Sequence, residues 1–187
     1  FRFIELTDNT IKVGASITFT EILESPFIQE YAKALHQAAK VYGSVQIRNR
    51  GTIGGNIVNA SPAADSAPVL IAANAVLTLV SPEGEEKILL KDFLMAPGKT
   101  TLKPNQVLSF IEFDQDTSDT LSFYRKLGTR KALSIAKASV AFRALKKKTA
   151  LHKVELAFGS VGPTVIQSEK AKGYLEKHPF TRETIET

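Results

Sequence analysis

The sequence predicts an α+β fold, on three observations. Several segments alternate apolar and polar residues with the period of two expected of half-buried strands. Two stretches carry helix-start signals followed by apolar residues at three- and four-residue spacing. No repeat and no low-complexity tract interrupts them, and 187 residues with 43% hydrophobic content suffice for a sizeable core.

The first strand is expected over Phe1 to Leu6, with a turn at Asp8-Asn9 and a second strand through Ile11, Val13 and Ala15. Opening in mid-sheet suggests a piece of a longer chain. Thr18-x-x-Glu21 is a capping box for a short helix through Leu23. Ser25-Pro26 then opens a longer helix, with Ile28, Tyr31, Leu35, Ala38 and Tyr42 on its apolar stripe and Gly43 as its stop. Ser61-Pro62 predicts another helix start, which Pro68 disturbs but Val69 to Ala73 prolongs. Ala75 to Val80 and Lys87 to Leu90 form a hairpin about Pro82–Glu85.

After a polar loop over 95–105 comes a strand over Gln106 to Phe113, then an acidic stretch at 114–119 that reads as a solvated turn. Strands are expected over Leu121–Leu127, Ile135–Leu145 and Val154–Val161, the last two joined by a turn at Lys146-Lys147-Lys148. A helix over Ser168–Leu175 and another capped by Thr181 end the chain. This order divides the chain into an α+β unit over 1–119 and a smaller α+β domain over 120–187.

Composition excludes several functions. No cysteine is present, so disulfides, thiolate zinc sites and cysteine-ligated iron–sulfur clusters are ruled out within these residues. His36, His152 and His178 lack partners at metal spacing, and no metal site is expected. The net charge of +5 is scattered and not interleaved with aromatics, which argues against nucleic acid and leaves an anionic cofactor open. No apolar run approaches the roughly 20 residues of a membrane helix, so a cytoplasmic chain without membrane insertion is expected.

The segment Arg48 to Asp65, R-N-R-G-T-I-G-G-N-I-V-N-A-S-P-A-A-D, concentrates Gly51, Gly54 and Gly55 with Thr52, Asn56, Asn59, Ser61 and Asp65. Glycine-rich backbone lets N–H groups approach phosphate oxygens, and Thr and Asn side chains add donors. A glycine-rich turn joining two buried elements accounts for the spacing equally well, so both readings stay open.

The segment closely resembles the second flavin-contacting motif of the FAD-binding domain of molybdenum hydroxylases, the family of xanthine dehydrogenase and the carbon monoxide dehydrogenase medium subunit. A-P-G-K-T-T-L-K-P-N-Q-V-L, F-Y-R-K-L-G-T-R, S-I-A-K-A-S-V-A-F and F-G-S-V-G-P resemble further family segments, so the likeness covers nearly the whole chain. The resemblance implies the second subdomain of a PCMH-type FAD domain followed by a small C-terminal domain like that of the carbon monoxide dehydrogenase flavoprotein. It implies that Gly51, Thr52, Ile53, Gly54, Gly55 and Asn56 line the FAD pyrophosphate and its surroundings. Asp65 would accept from sugar or ribityl hydroxyls, Tyr42 would pack near the flavin, Leu108 would give an apolar contact and Lys126 a nearby cation. On pattern alone, Tyr42 and Leu108 lie on apolar faces and read as core residues, while Lys126 fits a surface charge equally well.

The family's role is to pass electrons from iron–sulfur clusters through FAD to NAD or another acceptor, beside an iron–sulfur subunit and a molybdopterin-binding subunit. No side-chain general acid or base is therefore expected. The family's earlier A-G-G-T-type motif and the end of its last domain have no counterpart in these residues, which implies truncation at both ends and weakened or lost FAD binding. Alternatives are a relative of the UDP-N-acetylenolpyruvoylglucosamine reductases, whose serine-and-glutamate pattern is not matched here, and a cofactor-free scaffold or assembly module.

Overall fold

The computed structural model describes residues 1–130 and 133–186. Strands β1 (Ile4–Leu6), β2 (Thr10–Gly14), β3 (Val76–Ser81), β4 (Gly84–Leu89) and, further on, a long strand Val107–Asp114 form an antiparallel sheet. Between β2 and β3 run six helices: α1 (Phe19–Glu24), α2 (Pro26–Tyr31), α3 (Lys33–Val41), α4 (Val45–Arg50), α5 (Ile53–Val58) and α6 (Ser66–Ala72). A short helix α7 (Leu90–Phe93) and a small hairpin, β5 (Leu94–Ala96) with β6 (Lys99–Thr100), lead into the long strand, β7. The five-stranded order is β1-β2-β7-β3-β4.

The remainder forms a second antiparallel sheet from β8 (Thr120–Gly128), β9 (Ala136–Lys147), β10 (Ala150–Gly159) and β11 (Ile166–Gln167), in the order β11-β10-β9-β8. Helices α8 (Glu169–Lys177) and α9 (Arg182–Glu186) follow, α8 packing on β10. The α+β class expected from the sequence is the class observed.

Helices α3, α5 and α6 connect the two sheets. α3 packs on β8, and α6 on β9 and β10, while α5 packs on β7 of the first sheet. One apolar core therefore runs from Ile11, Leu77 and Ile111, through Leu35 and Leu70, to Tyr124, Ala141 and Ala157. Burial of this kind is the main stabilising term, at roughly 25 cal/mol per Å² of apolar surface.

Local chemistry sets most boundaries. The capping box is formed: Thr18 Oγ1 accepts from the Glu21 amide at 3.3 Å, and Glu21 Oε2 accepts from the Thr18 amide at 2.9 Å. The lysine turn closes the β9–β10 hairpin, with Lys148 at φ 55°. Helix α6 begins at Ser66, four residues after the expected first helical residue, Pro62. The Ser61 hydroxyl instead closes a tight turn by accepting from the Ala63 amide at 3.2 Å. Pro68 thus falls in the first helical turn, where a missing N–H leaves no bond unmade.

The helix expected from Ser25 to Tyr42 is broken at Ala32, which has φ −146° and ψ 58°. The cause lies 84 residues along the chain, at Asp116. Its amide donates to the Tyr31 carbonyl at 2.7 Å, ending α2, and its carboxylate accepts from the Lys33 amide at 3.0 Å, starting α3. Asp116 is only 5% exposed, so the acidic stretch is the solvated turn its composition suggested only over 117–119. Arg143 Nε stands 3.5 Å from its Oδ1.

Burial raises the Asp116 carboxyl above the ordinary carboxylate range, against the opposing pull of the Lys33 amide, Ser122 and Arg143. A raised folded-state value means the native protein holds this proton more tightly than the unfolded chain. Its ionisation therefore subtracts from stability as pH rises from the unfolded value, about 3.9, towards the folded one. Asp116→Asn keeps an acceptor for the Lys33 amide and removes this slope. Urea unfolding at pH 4 and pH 7 should show the difference between variant and wild type moving in the variant's favour at the higher pH.

Candidate functional site

The glycine-rich segment folds as two short helices meeting at a corner. The Ser44 hydroxyl caps α4 by accepting from the Ile47 amide at 3.2 Å, and Gly51 N–H closes it on the Ile47 carbonyl at 2.6 Å. Thr52 Oγ1 then caps α5 by accepting from the Gly55 amide at 3.0 Å. The corner is stitched to the connection between β2 and α1. Phe19 N–H donates to the Gly51 carbonyl at 3.0 Å, Ile53 N–H to the Ile17 carbonyl at 2.9 Å, and Gly54 N–H to the Ala15 carbonyl at 3.0 Å.

These bonds engage the backbone amides that a phosphate cradle would use. Asn56 N–H is also used, on the Thr52 carbonyl at 3.0 Å, so the amides of Ile53 to Asn56 are all bonded within the chain. The glycines answer to close packing instead. A Cβ on Gly54 would stand 2.6 Å from Ala15 Cβ and 2.7 Å from its oxygen, and one on Gly51 would stand 2.9 Å from the Tyr42 hydroxyl oxygen. Gly55 differs: it is exposed, and a Cβ there would meet only Thr52 Oγ1, at 3.0 Å. Its bare backbone leaves that face open to close approach.

Beside the corner, side chains from four segments form a polar cluster. Asp65 is 5% exposed. Its Oδ1 accepts from the Tyr124 hydroxyl at 2.6 Å and its Oδ2 from Lys126 Nζ at 2.9 Å. Both side chains of this ion pair are at least nine-tenths buried, at 8% and 6% exposure. Lys126 also donates to the Val41 carbonyl at 3.1 Å, which leaves one of its N–H bonds uncommitted. Asn56 Oδ1 accepts from the Ser66 hydroxyl at 2.6 Å.

Tyr42 is half-buried and stacked on Phe19, ring centroids 3.7 Å apart and 18° between planes. Burial first, then the Asp65 charge, raises its phenol above the ordinary value. Burial, followed by the Asp65 charge and hydrogen bond, raises the Tyr124 phenol further, so both rings stay neutral donors at physiological pH.

The structure thus brings Tyr42, Asn56, Asp65 and Lys126 together, with Gly51, Thr52, Ile53, Gly54 and Gly55 as the adjoining corner. Leu108 stands apart in the apolar core, opposite Leu79. The carbonyl of its neighbour Ser109 accepts from the Ala15 amide at 2.8 Å. Tyr124 and Ser66 are cluster members that the sequence reading did not single out. Tyr124 was within reach of it, because it lies two residues before Lys126 on one strand and so shares its face.

A cleft of about 1000 Å³ opens next to the cluster, between the end of α3, the 43–48 turn and β8 with the residues after it. Lys40, Arg48, Arg125, Lys126 and Arg130 line it, giving a strongly positive wall. Arg48 holds the turn by donating to the Tyr42 and Gly43 carbonyls at 3.0 and 3.3 Å.

Comparison with known proteins matches residues 1–113 to the FAD binding domain in molybdopterin dehydrogenase, and residues 122–187 to the CO dehydrogenase flavoprotein C-terminal domain. The chain is 32% identical to the nicotinate dehydrogenase FAD-subunit of Eubacterium barkeri, over 99% of this chain and 64% of that protein. It is 30% identical to the carbon monoxide dehydrogenase medium chain of Hydrogenophaga pseudoflava, over 99% and 64%. A solved structure of carbon monoxide dehydrogenase from Hydrogenophaga pseudoflava, lacking the Mo-pyranopterin moiety of its cofactor, superimposes with a TM-score of 0.93 at 30% identity, over 98% of this chain and 64% of that one. The chain thus spans a little under two thirds of these relatives' length.

Proposed function

Since the chain belongs to the family of FAD-binding domains of molybdopterin dehydrogenases, we propose that it is the FAD-holding, electron-transferring part of a molybdenum hydroxylase. Its partners in this reading are an iron–sulfur subunit and a molybdopterin-binding subunit. When bound, FAD would supply the redox chemistry between iron–sulfur clusters and NAD or another acceptor, while this chain's residues would hold and orient it. The division into 1–119 and 120–187 fits this reading, one sheet serving each part.

The observation that carries the proposal is the convergence of Asn56, Asp65 and Lys126 beside the exposed backbone of Gly55. This donor and acceptor set fits a polyhydroxylated chain joined to a polar ring. Each Asp65 oxygen has one acceptor site filled and can take a hydroxyl as well. Lys126 offers its remaining N–H to an oxygen or nitrogen of the ring, and Asn56 its amide group. The paired amides of Ile53 to Asn56 do not fit a diphosphate, so these residues are assigned to the ribityl and ring portion of FAD.

Two measurements test this. The full polypeptide should carry a flavin absorption band that NADH bleaches; bound flavin that NADH leaves oxidised would remove NAD as acceptor, and a colourless protein that takes up no FAD would favour the scaffold reading. Gly55→Ala should fold normally, because only the Thr52 oxygen must yield and alanine favours helix by about 1 kcal/mol. Its FAD dissociation constant should nonetheless rise about tenfold, equivalent to ~1.4 kcal/mol.

A further inference from the structure

Strand β8 is the edge strand of its sheet, and three hydrogen-bonded rungs tie it to α3, the middle one on its open backbone edge. The Ala34 amide donates to Ser122 Oγ at 3.2 Å, the Tyr124 amide to Gln37 Oε1 at 2.8 Å, and Lys126 Nζ to the Val41 carbonyl at 3.1 Å. Residues 122, 124 and 126 step by the strand period of two, while 34, 37 and 41 step by one helical turn each. The two elements are therefore held in a fixed register.

The middle rung is the most developed. Arg125 Nη1 donates to the Tyr124 carbonyl at 3.1 Å and reaches Gln37 Oε1 at 3.4 Å, so both backbone groups of Tyr124 on the free edge are bonded. Gln37 is half-buried, and its side-chain oxygen is the acceptor for the Tyr124 amide. Removing its acceptor would leave a partly buried edge N–H unpaired.

Register matters because the functional groups of the cluster leave β8 at Tyr124 and Lys126, and both end on Asp65. We propose that Gln37 is a positioning residue: by accepting the Tyr124 amide it sets the height of β8 along α3, and thereby holds the Tyr124 hydroxyl and the Lys126 ammonium on the two oxygens of Asp65. It touches no ligand in this scheme. The inference rests on the FAD reading for its functional consequence, but its structural content does not.

The test compares wild type with Gln37→Leu, which has no acceptor, and Gln37→Glu, which keeps one and still faces Arg125. Hydrogen exchange at the Tyr124 amide is measured on the ligand-free protein, and FAD affinity by titration on the full polypeptide. Gln37→Leu should speed exchange and weaken FAD binding, each by about tenfold, and Gln37→Glu should restore both, with the unfolding midpoint of the two variants alike. Unchanged exchange in Gln37→Leu, or equal loss in both variants, overturns the proposal. If Gln37→Leu fails to fold, Gln37→Glu decides: wild-type exchange and affinity support the rung, and loss of both removes it. A wild type that binds no FAD counts against the flavin reading, while exchange still decides the rung.

Discussion

Asp65→Ala is expected to destabilise the protein by about 3–5 kcal/mol, because it strands a buried ammonium. Lys126 is 8% exposed in its side chain, and only the Val41 carbonyl would remain to it. The Tyr124 hydroxyl, in a residue 2% exposed, would lose its acceptor in the same step. A carbonyl does not replace a carboxylate as counter-charge, so the ammonium would keep its charge with only one weaker partner from the protein. Urea unfolding measures the loss directly. The double variant Asp65→Leu with Lys126→Met should lose less than the two single changes added together, since the pair is then removed as a pair. A change below about 1 kcal/mol for Asp65→Ala, the scale of an exposed ion pair, would mean that the cluster is open to solvent.

Gly54→Ala should cost about 1–3 kcal/mol through overpacking, the opposite of its neighbour Gly55. The added methyl would be 2.6 Å from Ala15 Cβ and 2.7 Å from the Ala15 oxygen, and the latter belongs to backbone fixed by its own bond from Gly54 N–H. Helix α5 would have to lift from the segment that follows β2. Changing Ala15 to glycine removes the methyl contact but leaves the carbonyl contact, so only partial rescue is expected. Wild-type stability in Gly54→Ala would show that the position has room, and the close-packing role assigned to this glycine would fall.

The contrast between these glycines shows where sequence reasoning stops. The motif R-N-R-G-T-I-G-G-N was legible as a special segment, and the resemblance it carries is matched by the family comparison. What each glycine does was not legible, because Gly54 faces Ala15 from 39 positions away and Gly55 faces outward, though they are adjacent in the chain. The glycine-rich turn that the spacing allows is not what forms. Ser44 and Thr52 are in fact cap residues for two one-turn-and-a-half helices, too short for any apolar period to register.

Local signals were read correctly where the chemistry is local: the Thr18–Glu21 box, the Ser25-Pro26 start, and the Lys148 turn. They misled where a distant group intervenes. The apolar stripe from Ile28 to Tyr42 gives no sign of the break at Ala32, since the capping carboxylate comes from Asp116. By composition Asp116 belongs to a polar run, and its burial follows only from the packing of α3 and Arg143 around it. Asp65 shows the converse case: the resemblance pointed to it, while the side chains that hold it, Tyr124 and Lys126, come from the other sheet.

The central claim is that the Asp65 cluster holds the hydroxyl-bearing part of FAD. Titrating FAD into the full polypeptide and into its Asp65→Asn variant, with the fold of the variant checked by circular dichroism, tests it most directly. One equivalent should bind the wild type, and the variant should bind about tenfold or more weakly, as expected for losing a charge-assisted acceptor. Equal affinity in the two folded proteins would contradict it.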